Sequence, residues 1–522
     1  MTRIKAGPCA APHGKAHRRV GILDASRMKH ETPSGPATEV QVEEPRLYKA
    51  REPIFPKDVS GFFRKLKWRI LIFALAVYYL LPWMRWPRGE FAPNQAVLVD
   101  LANRRFYFFW IEIWPQEFYY VAGLLIMAGI GLFLMTSAAG RVWCGYLCPQ
   151  TVWTDLFMWV ERKIDGDRNA QTKLHAAPWT REKLVKRVKK HAAWLGIAMA
   201  TGGAWVFYFQ DAPTLLIDLV TGDAAMVAYA TIAVLTFTTY SLAGLMREQV
   251  CIYMCPWPRI QGAMLDENSL TVTYNEWRGE PRMRHKKTRA ETAARGETVG
   301  DCVDCNACVA VCPMGIDIRN GQQLECITCA LCIDACDSVM ERVGLPKGLI
   351  SYNTFKDYDR QAAGDHAPTP VMQRVLRPRT LIYTGMWAAI GVVMLITLTG
   401  RDRVDLNVLH DRNPLYVQLS GGELRNGYTV KALNMLPEPR EFRLALEGLP
   451  GGVMEIAGSD AAPTTEFTFE VEPDVLRQLR VYVTAPAGPE RREFDFILTE
   501  IAPPGQQPET DVVEGVFYGP ED

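Results

Sequence analysis

Two runs of closely spaced cysteines, "CVDCNACVAVCP" and "CITCALCIDACD", hold most of the chemistry legible in this chain. Each reads C-x2-C-x2-C-x3-C: Cys302, Cys305, Cys308 and Cys312, then Cys326, Cys329, Cys332 and Cys336. This is the ligand spacing of a bacterial two-cluster ferredoxin, in which the fourth cysteine of each run ligates the other cluster. The expected sets are Cys302, Cys305, Cys308 and Cys336 for a first [4Fe–4S], and Cys326, Cys329, Cys332 and Cys312 for a second. Three cysteines in a tight loop cap three corners of a cube. The fourth corner is reached from the other half of a pseudo-symmetric fold. Zinc would prefer paired C-x2-C knuckles separated by a longer gap. Pro313 follows the first run and Asp337 the second, which should redirect the chain without altering ligation. Two neighbouring clusters make a one-electron relay, and nothing in the segment resembles a nucleophile, a general-base pair or a phosphate loop.

Four more cysteines come earlier, in "CGYLCP" from Cys144 and "CIYMCP" from Cys251. Residues four apart share a helix face, so Cys144 can point with Cys148, and Cys251 with Cys255. Each pair follows a long apolar run, and the flanks match: "RVWCGYLCPQ" against "EQVCIYMCPWPRIQ". This reads as an internal repeat. Two such units side by side would gather four thiolates, with Pro149 and Pro256 breaking or starting a helix after the second ligand. Four thiolates suit Cu(I), zinc or an iron–sulfur cluster, and the competing reading is four buried structural cysteines. Met246 and Met254 could add soft copper ligands but more often fill lipid-facing or core space. For His175, His191 and His285 a solvated surface position is the default.

These residues need elements to position them. The chain has 522 residues with 58 basic and 58 acidic side chains, so net charge gives no push toward nucleic acid. Its mean hydropathy, near zero, hides alternating apolar and polar segments. Thirteen clustered cysteines argue for metal over disulfides. Residues 1–60 show no apolar h-region, so no cleavable signal peptide is expected. They read as a mostly disordered cytoplasmic tail containing an isolated Cys9. Five apolar stretches are expected to span a membrane, at about 68–84, 118–139, 192–209, 226–246 and 381–400. The first four, with both Cys-x-x-x-Cys-Pro pairs, lie in a transmembrane region over 61–270. "RKLKWR" and "KRVKK" place the N-terminus, 140–191 and 247–380 inside by the positive-inside rule, and 401–522 outside. Every cysteine then falls inside, where thiols stay reduced. The ferredoxin domain occupies 271–380. The aromatic stretch "NRRFYFFWIEIWPQEFYY" is expected to form an interfacial collar. Segments such as "GYTVKALN", "TEFTFEV" and "EFDFILTEI" alternate apolar and polar residues, which predicts an Ig-like β-sandwich over 401–522. The expected fold class is thus a membrane α-helical protein of five transmembrane helices, with an inserted ferredoxin domain (α+β) and a C-terminal sandwich.

Over roughly residues 45–522 the ordered whole resembles the cytochrome oxidase accessory family CcoG, also called FixG or RdxA. The matching stretches are "RRFYFFWIEIWPQEFYY", "WCGYLCPQTVW", "CIYMCPWPRIQGAMLDE", "CPMGIDIRNGQQLECITCALCIDACD" and the terminal β domain. The resemblance implies a multi-pass protein of the bacterial inner membrane, needed for biogenesis of cbb3-type cytochrome c oxidase. It also implies reduction of Cu(II) to Cu(I) for the heme–copper centre. Electrons would pass from two [4Fe–4S] clusters to Cys144, Cys148, Cys251 and Cys255, which would hold copper or a further cluster. Implied partners are oxidase assembly factors and copper-delivery proteins, with an unknown electron donor, no nucleic acid, and a homodimer left open. Two other classes compete: a polyferredoxin relaying quinol electrons, and a scaffold whose outer domain grips a partner.

Overall fold

The computed structural model describes residues 53–520, except 90–91, 366–368, 371, 374–375, 402, 436–437, 460–461, 474 and 503–507. The expected tail, with Cys9, lies outside the described residues as far as residue 52.

Among the described residues four helices are long and apolar enough to cross a membrane: Phe62–Trp83, Pro115–Ala139, Met226–Met246 and Pro378–Thr399. By length and composition these mark a membrane protein. They coincide with four of the five expected spans. The remaining stretch, 192–209, falls in the second half of the 26-residue helix Arg181–Val206. The first half of that helix carries the basic run ending in Lys189 and Lys190, so its uncharged part is shorter than the roughly 20 residues a bilayer needs.

The first helix starts at Phe62 and not near 68, and it takes in the basic run, two of whose residues are paired inside the protein. Arg64 and Lys67 are buried, and their charged ends lie 2.8 and 3.8 Å from Asp155. The helix N-terminus is held from elsewhere. Asp334 accepts from the backbone N–H of Phe63 (3.2 Å) and Arg64 (2.7 Å), filling two of the donors that a helix start leaves open. The close approach needs Gly61, where an added Cβ would sit 2.2 Å from the Asp334 Cγ.

Asp334 belongs to the ferredoxin segment. That segment is built from strands Thr271–Tyr274 and Ile350–Asn353, paired antiparallel, and from helices Ala307–Val311 and Leu331–Val343. The two helices are repeats of unequal length. Pro313 follows the first, which ends at Val311. Asp337 leaves the second free to continue, and its carboxylate accepts from the Gly348 N–H at 2.9 Å.

The aromatic stretch before the second span, expected as a collar, folds as strands. It supplies strands Arg105–Phe108 and Ile111–Ile113 of a three-stranded antiparallel meander begun by Val97–Asp100. Alternation decides this: Tyr107 is buried while its neighbours are half-buried, and Arg105 lies over the Trp114 ring at 4.1 Å.

Residues beyond the last span form two facing antiparallel sheets. One runs Val453–Ile456, Leu476–Ala485, Leu424–Asn434, Val404–His410, with Val417–Gln418 added to Leu424–Asn434. The other runs Glu466–Val471, Arg440–Glu447, Arg491–Glu500, Thr510–Tyr518. Their inner faces, including Tyr428, Val430, Phe442, Phe496 and Phe517, make one apolar core. Three strands were not expected: Val404–His410, Val453–Ile456 and Thr510–Tyr518. In the last, the Val512–Val513 doublet and Gly515 interrupt the alternation that marks a strand. His410 is structural, with its Nε2 2.8 Å from Asn426 Oδ1 and its ring against Tyr428 and Tyr518.

Candidate redox centres

The two ferredoxin loops repeat one backbone shape. In Cys302–Cys308 the residues with positive φ are Asp304 (48°) and Asn306 (55°); in Cys326–Cys332 they are Thr328 (51°) and Ala330 (60°). Non-glycine residues rarely adopt this conformation. Finding it at the same two offsets in both runs shows that each loop is held by its surroundings to curl its three cysteines around one point.

The fourth cysteines cross over. Burial pushes the Cys336 thiol up to about 12, and its cysteine neighbours that add to the rise are Cys308, Cys305 and Cys302 of the other run. Burial likewise pushes Cys312 up to about 12, with Cys329 and Cys326 as its neighbours. The buried Cys332 thiol is raised well above the ordinary range, with Cys329, Cys326 and Cys312 beside it. Among the described residues all cysteines are free, and no three His, Cys, Asp or Glu side chains converge tightly enough to hold a single metal ion. Thiols gathered around an apolar space, each costly to ionise alone, fit a four-iron cube whose positive charge stabilises the thiolates.

The Cys-x-x-x-Cys-Pro pairs do not lie on continuous helices, as simple four-residue spacing would have it. Cys144 sits on the short helix Val142–Tyr146, and Cys148 caps the next helix, Pro149–Asp165. Cys251 lies in the π-helical turn Val250–Met254, and Cys255 at its end precedes the helix Trp257–Met264. The break is the same in both. The Cys148 N–H donates to Trp143 O at 2.9 Å and the Cys255 N–H to Val250 O at 2.8 Å, each five residues back. Four residues before each first cysteine stands a positive φ: Gly140 at 65° and Arg247 at 46°. Arg247 is held there by Glu161, 2.5 Å from its Nη2, and by Gly244 O, 3.0 Å from its Nε. A proline after each pair restarts the chain as a helix running away from the thiols.

The structure brings these four thiols together. Burial pushes Cys251 up to about 12, with Cys148, Cys144 and Cys255 adding to the rise. It pushes Cys144 up to about 11, opposed by the Arg141 guanidinium and reinforced by Cys148 and Cys255. Met254 is exposed, as are His175 and His285, while His191 lies 2.8 Å from the Tyr240 hydroxyl.

The two groups of cysteines also meet. Cys144 shares one apolar cluster with Cys329, Ile327 and Met314, and Cys251, Cys312 and Cys332 pack against it. Gly145 makes the contact possible: a Cβ there would stand 2.7 Å from Ile327 O and 3.1 Å from Cys329 Cα. Next to it, Tyr146 donates its hydroxyl to Cys329 O at 3.2 Å. The first set, with Cys302, Cys308 and Cys336, belongs to a different cluster around Val272, Met340 and Ile350, against which Cys326 and Cys332 of the second set also pack. So the second set is proximal to the membrane-edge thiols and the first is distal.

Sequence reading missed the residues that set this contact. Arg141 is 3 % exposed, donates to Leu324 O, and opposes the rise of Cys144, Cys251 and Cys326. Gln261 is fully buried; it accepts from the Cys144 thiol at 3.0 Å and donates to Thr136 Oγ1 at 3.0 Å. The only available signal was their closeness to the cysteine pairs, in "GRVWC" and "CPWPRIQ".

Comparison with known proteins finds iron–sulfur families over both groups of cysteines. A family described as a 4Fe-4S dicluster domain matches residues 246–355, and a 4Fe-4S binding domain matches residues 121–165. A third family, described as an IG-like fold at the C-terminal of FixG, matches 394–520. The nitrogen fixation protein FixG of Rhizobium meliloti is 58% identical over 496 residues, covering 91% of this chain and 92% of its own length. Protein RdxA of Cereibacter sphaeroides is 56% identical over 442 residues, covering 85% and 91%. A crystal structure of a FixG-related protein from Vibrio parahaemolyticus covers 23% of this chain and 97% of its own, at 26% identity and a TM-score of 0.18. With ferredoxin-type cysteine sets, an Ig-like terminal domain and identity of this extent along nearly its whole length, the chain belongs to the FixG/RdxA family of iron–sulfur proteins.

Proposed function

We propose that this protein is a membrane-bound cupric reductase serving the assembly of cbb3-type cytochrome c oxidase, with Cu(II) as its substrate and Cu(I) as its product. The observation that carries the reading is the apolar contact between the Cys144 and Cys251 turns and the Cys312, Cys329 and Cys332 ligands. When bound, [4Fe–4S] clusters supply one-electron transfer. The chain's residues do the rest. Cys302, Cys305, Cys308 and Cys336 would hold the distal cluster, and Cys326, Cys329, Cys332 and Cys312 the proximal one. Gly145 and Tyr146 hold the proximal loop against the membrane-edge thiols. Those thiols favour the product, since soft thiolates prefer Cu(I) over Cu(II). Arg141 eases their ionisation as copper binds. The terminal sandwich, placed outside, would position an assembly partner.

A test uses anaerobic, fully reduced protein mixed with Cu(II), with Cu(I) trapped by a chelator. A Cys144→Ser/Cys251→Ser variant should keep its ferredoxin iron and lose Cu(I) formation by at least about tenfold, the scale expected when binding ligands of the reacting ion are removed. Equal rates would take these cysteines out of the copper route. A second reading has its own support: the 4Fe-4S binding domain match at 121–165 covers Cys144 and Cys148, and the four thiols do not converge as a single-ion site. A third cluster there would appear as about four additional iron atoms per chain, absent from the same variant.

A further inference from the structure

The distal set has one ligand in water. Cys302, Cys308 and Cys336 are buried, and Cys305 is exposed. Beside it runs "PRMRHKKTR", residues 281–289, with five Lys or Arg and no acid. The run is tied to the distal set: the Met283 N–H donates to Cys302 O at 3.1 Å, and Arg289 donates to Gly300 O at 2.7 Å and Cys302 O at 3.4 Å. Most acids around it are engaged, the exposed Glu291 on the same helix excepted. Glu280 pairs with Arg282, Asp301 with Arg278, and Asp304 and Asp317 with Arg319. Among the described residues Arg284, Lys286 and Lys287 are exposed and take part in no ion pair. Lys286 and Lys287 moreover begin the helix Lys286–Ala294, the end at which a helix dipole disfavours cations. Local folding therefore gives no reason for them.

We propose that this surface is the docking face for a soluble one-electron donor protein, acidic around its own redox centre. The proposal rests on the two-cluster reading above and names the side from which that site is supplied. One electron leaves the reduced donor and enters the group held by Cys302, Cys305, Cys308 and Cys336; no bond or proton is exchanged. Position argues against a lipid contact for the same cations. The run is bonded to the distal set, whereas the proximal set packs against the membrane-edge turns. Complementary charge of this kind steers encounter and raises association rates by about tenfold to a thousandfold, and salt screens it.

The full chain, loaded with iron and oxidised, is mixed anaerobically with a photoreduced acidic [2Fe–2S] ferredoxin as probe. Reduced methyl viologen, a small cation, serves as the control reductant. An Arg284→Glu/Lys286→Glu/Lys287→Glu variant should lose at least about tenfold in the second-order rate with ferredoxin at low salt, and most of the salt dependence. Its iron content and its rate with methyl viologen should stay unchanged. A milder Lys286→Gln/Lys287→Gln variant should shift the same way by less, which keeps the test valid if the triple variant loses iron. An unchanged ferredoxin rate overturns the proposal. Unchanged rates with reduced sedimentation on phosphatidylglycerol vesicles overturn it in favour of a lipid contact. Cu(II) reduction by protein first reduced with methyl viologen and then freed of it tests the copper reading separately, since that route bypasses the docking face.

Discussion

The ferredoxin loops and the membrane-edge turns are both duplicated cysteine arrangements, yet they are built in opposite ways. Each ferredoxin loop places three cysteines within seven residues and shapes them locally, with positive φ at the same two offsets in both copies. Only the fourth ligand must come from elsewhere. Each membrane-edge turn supplies two cysteines, and its partner pair is about a hundred residues away, beyond the helices Pro149–Asp165, Arg168–Ala176, Arg181–Val206, Ala212–Thr221 and Met226–Met246. Local backbone geometry suffices for the first kind of site. The second exists only if the helices before and after each turn pack correctly. The buried charges on those helices, Asp155 with Arg64 and Lys67, and Glu161 with Lys190 and Arg247, are the pins that fix this packing.

This contrast can be broken from either side. The largest effect should come from Cys308→Ser. It removes a ligand of the distal set, so iron should fall by about four atoms per chain and electron delivery from a protein donor should be abolished. Iron and sulfide analysis with single-turnover kinetics checks both. If all iron is retained, the distal assignment is wrong.

Asp155→Asn should come next. It strands Lys67 in a buried position without its counter-charge, a change that typically costs about 3–5 kcal/mol. The membrane-edge turns should loosen, read as faster thiol alkylation at Cys148, while ferredoxin iron persists. The effect should depend on pH. Burial alone would raise the Asp155 carboxyl, but Lys67 and Arg64 hold it below its ordinary value. Its contribution is therefore present above the unfolded pKa, about 4, and is lost as pH falls through the lower folded value. The difference in thermal midpoint between parent and variant should be full near pH 7 and shrink below about pH 4. A constant difference across that range would show that the ion pair is not its source.

Gly145→Val should separate the two regions without touching a ligand. Its side chain would meet the Ile327 carbonyl and the Cys329 backbone, at a cost of about 1–3 kcal/mol. Iron should be retained, with slower electron passage from the ferredoxin sets to copper. Unchanged copper reduction would mean that electrons leave by another face. Smallest of all, Asp334→Ala should remove the cap on the first helix and lower stability by about 1 kcal/mol, seen as a small drop in Tm with iron intact.

Spacing along the chain pointed to the iron–sulfur segment and suggested its ligand sets, because three of every four cysteines in the motif are local and the fourth follows from pseudo-symmetry. Apolar length marked four helices long and apolar enough to cross a membrane, and alternation marked most of the sandwich. Spacing also marked the Cys144 and Cys251 pairs as a repeat and placed a helix start at each following proline. Tertiary structure decided the rest. It broke the assumed helix between the cysteines of each pair, through backbone bonds five residues long. It turned Arg64 and Lys67 of the basic run into buried partners of Asp155, and drew an aspartate from the ferredoxin segment onto that helix's open N–H groups. It also decided which cysteine set is proximal. That order depends on Gly145 fitting against the Cys329 backbone, a contact between residues about 180 positions apart. No local pattern carries such a contact, because it is set by which surfaces remain to be buried once the helices have packed.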